Sequence, residues 1–436
     1  MKRILSFAVA LLLVAGTAFG WPLARVWKGG PPWWYSGLTF YAPFDNPADP
    51  LRLIKGTGSL SFTRATTATY TAIDNGYLST AASGQLRIES NGALIEGQRT
   101  NLYTNSADLA AWGTEARSWI DNNVATAPDG TLTADKLVED ATASNTHSTT
   151  GGFVALVSDA ARSYSVYLKS AGRTRAVVRV YSDNGASGGE FDVNLTTGAV
   201  TTASYNGGTA NAGTMTNFGG GWWRLNATAT PSTTGNTFTA NNILLHNGTS
   251  VVYSGDNTSG IYIVGHQIEA GSFPSSYIPT VAAAVTRNTD KLTFSSSGNV
   301  SDTIGTISGT IDTKSDAFAV YAYDSGNNIG KVSRDKDNDR MQLRDGTSIL
   351  SLATNGWLIN TTIRFAVSYG GSTMSGVING GTVSSGNFDG SMNGTATFVV
   401  GSPYNYSEEY VINGHIKNLR IWNRATDDNS LILLTQ

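Results

Sequence analysis

Residues 162–169 read RSYSVYLK, and apolar and polar side chains alternate along them. A β-strand turns successive side chains to opposite faces, so this period of two predicts a strand with one face on a core. The same alternation returns at 175–181 (RAVVRVY), 221–229 (GWWRLNATA) and 416–422 (IKNLRIW). β-branched and aromatic residues, which favour strands, are frequent in all four segments. The pattern indicates an all-β protein.

Turn signals separate these segments, as an antiparallel chain requires. The dipeptides typical of hairpin turns include Asn91-Gly92, Asp129-Gly130, Asp345-Gly346 and Asn379-Gly380. Helical periodicity is confined to the N-terminal segment, a turn at 107–112 and the C-terminal 427–434. We therefore predict two antiparallel β-sandwich (jelly-roll) domains in tandem, preceded by an N-terminal apolar segment and a β-rich lead-in.

The chain has 436 residues, which is more than one hydrophobic core usually supports. We divide it into an N-terminal segment (1–36), the lead-in (37–97), a first sandwich (98–285) and a second sandwich (286–436). The small residues at 282–284 mark the joint between the two sandwiches. No fixed-period repeat is visible, so the sequence does not favour a solenoid or a propeller.

The composition excludes several classes of protein. The net charge is −3, so there is no basic excess to attract nucleic acid. The chain has no cysteine, which excludes disulfides, Cys-ligated zinc, iron–sulfur clusters and thiol catalysis. Aromatic residues make up 10% of the chain, which argues against disorder.

Residues 1–20 have the pattern of a secretory signal. Lys2 and Arg3 precede an apolar run, and 18–20 (AFG) form a small-x-small cleavage site. The run is short for a membrane span, which needs about 20 residues. The alternative is a retained apolar helix that anchors the protein in a larger particle or a membrane. In that case, membrane contact is expected only through 1–35, where tryptophans and prolines follow the run.

An ordered series of strings carries a family resemblance. The strings 60–70 (LSFTRATTATY), 93–102 (ALIEGQRTNL), 127–137 (APDGTLTADKL), 267–280 (QIEAGSFPSSYIPT) and 285–287 (VTR) follow one another along the chain. The series resembles bacteriophage and prophage virion proteins of the tail-fibre, spike or decoration type. Its third and fourth strings resemble the start and the end of a carbohydrate-binding-module-like jelly roll.

The C-terminal third is similar to the concanavalin A-like, or laminin G-like, lectin sandwich. The similar strings are 362–369 (TIRFAVSY), 377–380 (VING) and 414–425 (GHIKNLRIWNRA). Together the two resemblances imply a protein of the virion surface that works as a homotrimer. They imply other virion proteins and host-surface glycans as its partners.

Within the virion-like strings, most residues are expected to have structural roles. The prolines of 271–280 and Tyr277 are expected to seal a sandwich edge, because proline cannot donate to a β-ladder. Glu96 and Arg99 are expected to pair at the surface and to hold the lead-in on the first sandwich.

Aromatic residues near polar groups are the candidates for sugar binding. Trp222 and Trp223 are adjacent on one strand, so one is expected in the core, and Trp223 could offer its ring face to a sugar. Tyr404, Tyr406 and Glu408 lie in a polar loop and could contact sugar rings and hydroxyls. An exposed loop or a contact between subunits is the competing interpretation of that loop.

Calcium is the one cofactor that the sequence suggests. Asp335, Asp337 and Asp339 alternate like the start of a calcium-binding loop. A full EF-hand is excluded, since Arg340 stands where glycine is needed and Gly346 where the last glutamate is needed. A solvated hairpin turn is the competing interpretation. The four histidines, His147, His246, His266 and His415, show no metal-ligand spacing and are expected to be structural or exposed.

Three functions remain open at this stage. The first is a non-enzymatic adhesive protein of a bacteriophage virion that binds host-surface glycans. The second is a secreted bacterial lectin or cell-surface protein, exported by residues 1–20. The third, a glycan hydrolase, has little support, because no G-x-S-x-G elbow and no recognisable pair of catalytic carboxylates is present. We therefore expect no enzymatic activity.

Overall fold

The structure is a computed structural model, and the chain divides into two units, Met1–Leu38 and Thr39–Gln436. In the first unit, Trp33–Tyr35 form a short 3-10 helix. The residues that the structure describes are 32–152, 154–155, 160–183, 186–232, 238–314, 319–321, 331–335, 340–345, 348–351, 359–392, 397–402 and 411–436.

The middle of the chain forms the first sandwich, built from two antiparallel sheets. In order across the sheet, the six-stranded sheet contains β17 (Thr209–Asn217), β18 (Trp222–Thr230), β13 (Arg162–Ala171), β20 (Gly260–Ala270), β10 (Leu132–Glu139) and β9 (Ser118–Thr126). The facing sheet contains β16 (Val200–Tyr205), β15 (Gly188–Asn194), β14 (Arg175–Ser182), β19 (Phe238–His246), β11 (Ser148–Gly151) and β8 (Gly113–Ala116), with β12 (Val154–Ala155) paired to β19.

The alternation in RSYSVYLK determines which side chains of β13 enter the core of the first sandwich. Tyr164, Val166 and Leu168 of β13 point between the sheets and are fully buried there. The alternate residues, among them Ser165 and Tyr167, point to the opposite face of the six-stranded sheet. That outer face is buried as well, because other parts of the chain cover it.

The C-terminal region forms the second sandwich around an eight-stranded sheet. Its order is β30 (Ser384–Asn387), β29 (Thr373–Ile378), β28 (Ile363–Gly370), β23 (Ile304–Ile311), β32 (Gly414–Trp422), β6 (Gly92–Ile95) and β5 (Arg87–Glu89), with β1 (Leu38–Ala42) also paired to β32. Three of these strands, β1, β5 and β6, come from the lead-in. The lead-in 37–97 therefore contributes three of its strands to the sheet of the second sandwich, although the first sandwich separates the two in sequence.

Two smaller sheets close the second sandwich. They consist of β2 (Ser61–Thr63), β22 (Lys291–Ser295) and β31 (Thr397–Val400), and of β24 (Ala319–Tyr321), β25 (Lys331–Asp335), β26 (Arg340–Arg344) and β27 (Ile349–Ser351). Their side chains share one core with the eight-stranded sheet, in which Phe294 stacks between Phe40 and Phe398. The predicted all-β fold with two antiparallel sandwiches is confirmed.

The remaining elements are short. Two further pairs of short strands complete the fold: β3 (Ala68–Thr71) with β4 (Leu78–Ala81), and β7 (Arg99–Asn101) with β21 (Val285–Arg287). The helix α1 (Asp428–Leu434) follows the last strand where the sequence predicts it, and the Asp427 side chain caps its N-terminus by accepting from Ser430 N at 3.0 Å. Among the described residues, no helix has the length and apolar content of a membrane span.

Five charged side chains meet at the junction between the sandwiches, and we call them the buried ion cluster. They are Arg64, Arg87, Glu96, Arg287 and Asp290, and none is more than 3% exposed. Arg87 donates to Glu96 Oε2 at 2.7 Å and to Asp290 Oδ2 at 2.5 Å. Arg64 donates to Asp290 Oδ1 at 2.9 Å, and Arg287 Nη1 lies 3.4 Å from Glu96 Oε2. Each carboxylate therefore faces two guanidinium groups.

The same cluster attaches the first sandwich. Glu96 accepts from the backbone N–H of Ser276 at 2.8 Å and from its hydroxyl at 2.7 Å, and Ser276 lies in the segment that leaves β20. Burial raises the pKa of the Glu96 carboxyl, but the charges of Arg287 and Arg87 outweigh this and hold the pKa well below its usual range. The expected surface pair of Glu96 with Arg99 is wrong. Glu96 turns inward to the cluster, and the Arg99 guanidinium stacks 4.9 Å from the ring centroid of Phe273.

We predict that Glu96→Gln destabilises the protein by about 3–5 kcal/mol, because it leaves three buried guanidinium groups with one carboxylate. The measurement is urea unfolding followed by tryptophan fluorescence. The matched control is Glu190→Gln, which removes a pair with Arg179 (2.7 Å) whose side chains are 25–28% exposed. That control should cost less than about 1 kcal/mol. Equal losses for the two variants would contradict the role given to the cluster.

Candidate functional site

The outer face of the six-stranded sheet provides the floor of a cleft. Cross-strand pairing sets Thr216, Arg224 and Tyr167 in one row across β17, β18 and β13. Asn226 belongs to the next row, beside Ser165. These residues alternate along their strands with core residues such as Leu225. The same alternation therefore buries the apolar side chains on one face of the sheet and aligns these polar side chains on the other.

The second sandwich, the lead-in and the turn after β17 form the walls. The cleft has a volume of about 440 Å³. The β3–β4 hairpin contributes Tyr70 to one side, and the turn after β17 contributes Phe218. Lys314 and His415 line it from the second sandwich. Because its floor and walls come from different sandwiches, the cleft exists only when the junction between them is formed.

A carboxylate–histidine–carboxylate triad lies at the wall. His415 donates from Nε2 to Glu89 Oε2 at 2.9 Å and from Nδ1 to Asp312, whose two oxygens are both 3.1 Å away. Glu89 Oε1 also accepts from Thr71 N at 2.6 Å, and Asp312 Oδ1 from His415 N at 2.7 Å. Both imidazole nitrogens are thus occupied as donors, which requires the charged form of the ring.

The triad fixes its own protonation state. Burial alone would lower the pKa of His415, but the hydrogen bonds to Asp312 and Glu89 outweigh it and raise the pKa to about 9. Burial opposes ionisation of Glu89 and Asp312, yet the hydrogen bonds from His415 leave the pKa of each carboxyl below its ordinary value. At neutral pH, neither carboxyl carries a proton to donate and the ring cannot accept one. The triad therefore places one positive charge between two negative charges at neutral pH.

The two adjacent tryptophans face opposite ways, as the sequence predicts. Trp222 is 4% exposed and packs on the outer face, with its indole N–H donating to Thr126 O at 3.0 Å. Trp223 is half-buried against the core of the first sandwich, and its indole N–H donates to Leu195 O at 2.9 Å. Its ring also lies against Gly198, where any side chain would collide with it. A sugar-stacking role for Trp223 stays a prediction.

Several candidates from the sequence lie outside the described residues. These are Tyr404, Tyr406 and Glu408 of the polar loop, and Asp337 and Asp339 of the acidic segment. Asp335 is the last residue of β25, and its side chain is not described. Across the described part of the chain, no three His, Asp or Glu side chains are grouped to hold a metal ion. The calcium site stays a prediction.

The sequence did not reveal the cleft. His415 has no partner near it in the sequence. In the structure it pairs with Glu89, which is 326 residues away, and with Asp312, which is 103 residues away. His147 and His266 are fully buried, in line with structural roles. Burial lowers the pKa of His266 to about 3, and its Nδ1 shares a hydrogen bond with the Tyr164 hydroxyl at 2.7 Å.

Comparison with known proteins gives distant structural likenesses. No family model and no curated protein matches the sequence. Domain 4 of AbnA, a GH43 extracellular arabinanase from Geobacillus stearothermophilus, in complex with arabinotriose, is similar over 34% of this chain and 73% of its own (15% identity, TM-score 0.28). The CBM40 of the Ruminococcus gnavus IT-sialidase, bound to α2,3-sialyllactose, is similar over 31% and 84% (14% identity, TM-score 0.25).

A third likeness spans more of the chain. Domains LG4-5 of the mouse laminin α1 chain are similar over 65% of this chain and 92% of their own (10% identity, TM-score 0.23). These low values identify neither a family nor a ligand for the protein.

The triad predicts a pH dependence of stability. The pKa of His415 in the folded protein (about 9) lies above that of the unfolded chain, so its stabilisation is complete below pH ~6.5 and is lost as the pH rises towards 9. The free energy of unfolding should therefore fall by up to roughly 3 kcal/mol across this window. Urea unfolding at a series of pH values measures it.

His415→Gln should remove this slope. His246→Gln is the matched control: burial lowers the pKa of His246, so its titration lies below the window and the slope should persist. Identical slopes in the wild type and His415→Gln would show that the triad does not hold a charged imidazole.

Proposed function

We propose that the protein is a glycan-binding adhesive protein and that the cleft between the sandwiches is its saccharide site. The observation that carries the proposal is the lining of the cleft. Hydroxyl and amide side chains such as Thr216 and Asn226 line the cleft together with the aromatic residues Tyr70 and Phe218. Sugars present hydroxyls at their edges and C–H groups on their faces, so they match this mixture. The volume of about 440 Å³ suits a small ligand, for which sites of roughly 300–1,000 Å³ are usual.

We propose that the protein binds without catalysis. Hydrolysis of a glycosidic bond requires a protonated carboxylic acid and a second, free carboxylate. The carboxylates that line the cleft are Glu89 and Glu96, and both have a lowered pKa because cations hold them. Neither is therefore available as the acid at neutral pH.

We further propose that the protein is displayed on the surface of a bacteriophage virion, as a homotrimer among other virion proteins. This step is supported by the resemblance of the ordered strings between residues 60 and 287. Several copies would compensate for weak individual sites, because linked sites raise the effective concentration of the ligand. A secreted bacterial lectin would use the same cleft, and the signal-like residues 1–20 favour that alternative.

The cleft assignment predicts which residues control binding. Asn226→Ala with Tyr70→Ala should weaken binding to an array of bacterial surface polysaccharides about 10- to 100-fold, through loss of a hydrogen bond and a stacking surface. The matched control is Asn211→Ala with Tyr77→Ala. Both control residues are exposed, Tyr77 to 52%, and neither lines the cleft. If both double variants bind like the wild type, the saccharide site lies elsewhere.

The virion protein and the secreted lectin are expected to differ in their mature N-termini. We expect the intact mass of the protein from purified virions to include Met1, since a virion component is assembled without export. A mature chain that begins at Trp21 and is found in the culture medium would instead support the exported lectin.

A further inference from the structure

The charges around the cleft are not balanced. The ionisable side chains that line it include two carboxylates, Glu89 and Glu96, and three cations, Arg224, Lys314 and His415. Glu89 pairs with His415. Glu96 is neutralised by Arg87 and Arg287 of the buried ion cluster. Both carboxylates are therefore paired with cations, whereas neither Arg224 nor Lys314 forms an ion pair with a described carboxylate.

Arg224 is buried without a carboxylate. It is 8% exposed, and its Nη2 donates to Ser165 Oγ and to Ser275 O, both at 2.8 Å. Within the described part of the chain, its Nε has no acceptor, and the neighbouring buried Tyr167 hydroxyl has no hydrogen-bond partner. Among the described residues, no carboxylate lies within 4.0 Å of this guanidinium. A buried guanidinium with neutral acceptors alone keeps an uncompensated positive charge.

Lys314 adds a second positive charge to the same space. It is half-buried, and its ammonium forms no ion pair within 4.0 Å of a described carboxylate. Its charge acts on Glu96 and Asp312 only at longer range. Low-dielectric walls focus the field of such charges into a cleft, so the positive excess favours an anionic group there.

We infer that the cleft selects acidic saccharides, whose carboxylate faces Arg224 and Lys314 while the ring hydroxyls face Thr216 and Asn226. The inference rests on the proposed function and adds to it the class of sugar. A carboxylate supplies the charged acceptor that these two cations lack, and charge-assisted hydrogen bonds are the stronger kind. A neutral sugar would leave both cations uncompensated.

The test uses uronic-acid-containing bacterial polysaccharides in native and carboxyl-reduced forms, with the full-length chain. We expect native forms to bind at least tenfold more tightly than reduced forms. Lys314→Gln should weaken binding of the native forms about tenfold and leave the reduced forms unaffected, and Lys314→Arg should restore it. Raising the salt concentration from roughly 50 to 500 mM should weaken native binding, since partly exposed charges are screened.

The matched control is Lys136→Gln, which removes a lysine outside the cleft whose Nζ donates to Thr258 O at 2.6 Å. If Lys314→Gln and Lys136→Gln behave alike, the acid is not held in the cleft and the inference is wrong. If reduced and native forms bind equally, and Asn226→Ala with Tyr70→Ala still weakens both, the inference fails and the saccharide site stands. If no polysaccharide binds, the proposed function and the inference fall together.

Discussion

The guanidinium of Arg87 is the contact on which the architecture depends. It is fully buried and divides its hydrogen bonds between Glu96, Asp290, the hydroxyl of Ser276 and the carbonyl of Thr69. These acceptors come from the lead-in, from the segment that leaves the first sandwich and from the start of the second. A charge buried this deeply is stable only while all its acceptors are in place, because losing one partner exposes the full cost of desolvation. The cluster therefore forms as a whole, and it brings distant parts of the chain together.

The cleft follows from this junction. Glu96 and Ser276 belong both to the joint and to the lining of the cleft, so the groups that hold the sandwiches together also set the distance between its walls. The His415 triad is a second charged contact in the wall of the cleft. There the imidazolium of His415 in β32 donates to the carboxylate of Glu89 in β5. Two cations of the cleft, Arg224 and Lys314, form no ion pair with a carboxylate among the described residues. Internal pairing of the acids is what makes the cleft positive, although the whole chain has a net charge of −3.

The sequence predicts local structure well and distant pairing poorly. Alternation along RSYSVYLK is a property of neighbouring residues, so it indicates the strand, its buried face and the all-β class. The strings that resemble virion proteins can also be recognised in the sequence, but the contacts that their residues make cannot be predicted from it. Glu96 is expected from the sequence to pair with Arg99, three positions away, but it pairs with Arg87 and lies beside the distant Arg287, because a fold can bring any two segments together. The cleft was missed for the same reason. Its residues share no spacing, and His415 lacks a local partner that could have indicated a site.

Burying five charges is an expensive way to join two domains, since apolar side chains of similar volume often give equal or greater stability. An apolar joint, however, permits sliding, because hydrophobic contact has no direction. Guanidinium–carboxylate pairs have fixed geometry and lose most of their energy when they are displaced. The floor and the walls of the cleft come from different sandwiches, so a shift of one sandwich would change the distance between Lys314 and Arg224 and disrupt the proposed site. We infer that the ion cluster is retained for the orientation that it imposes, and that this orientation is what a binding site between two sandwiches requires.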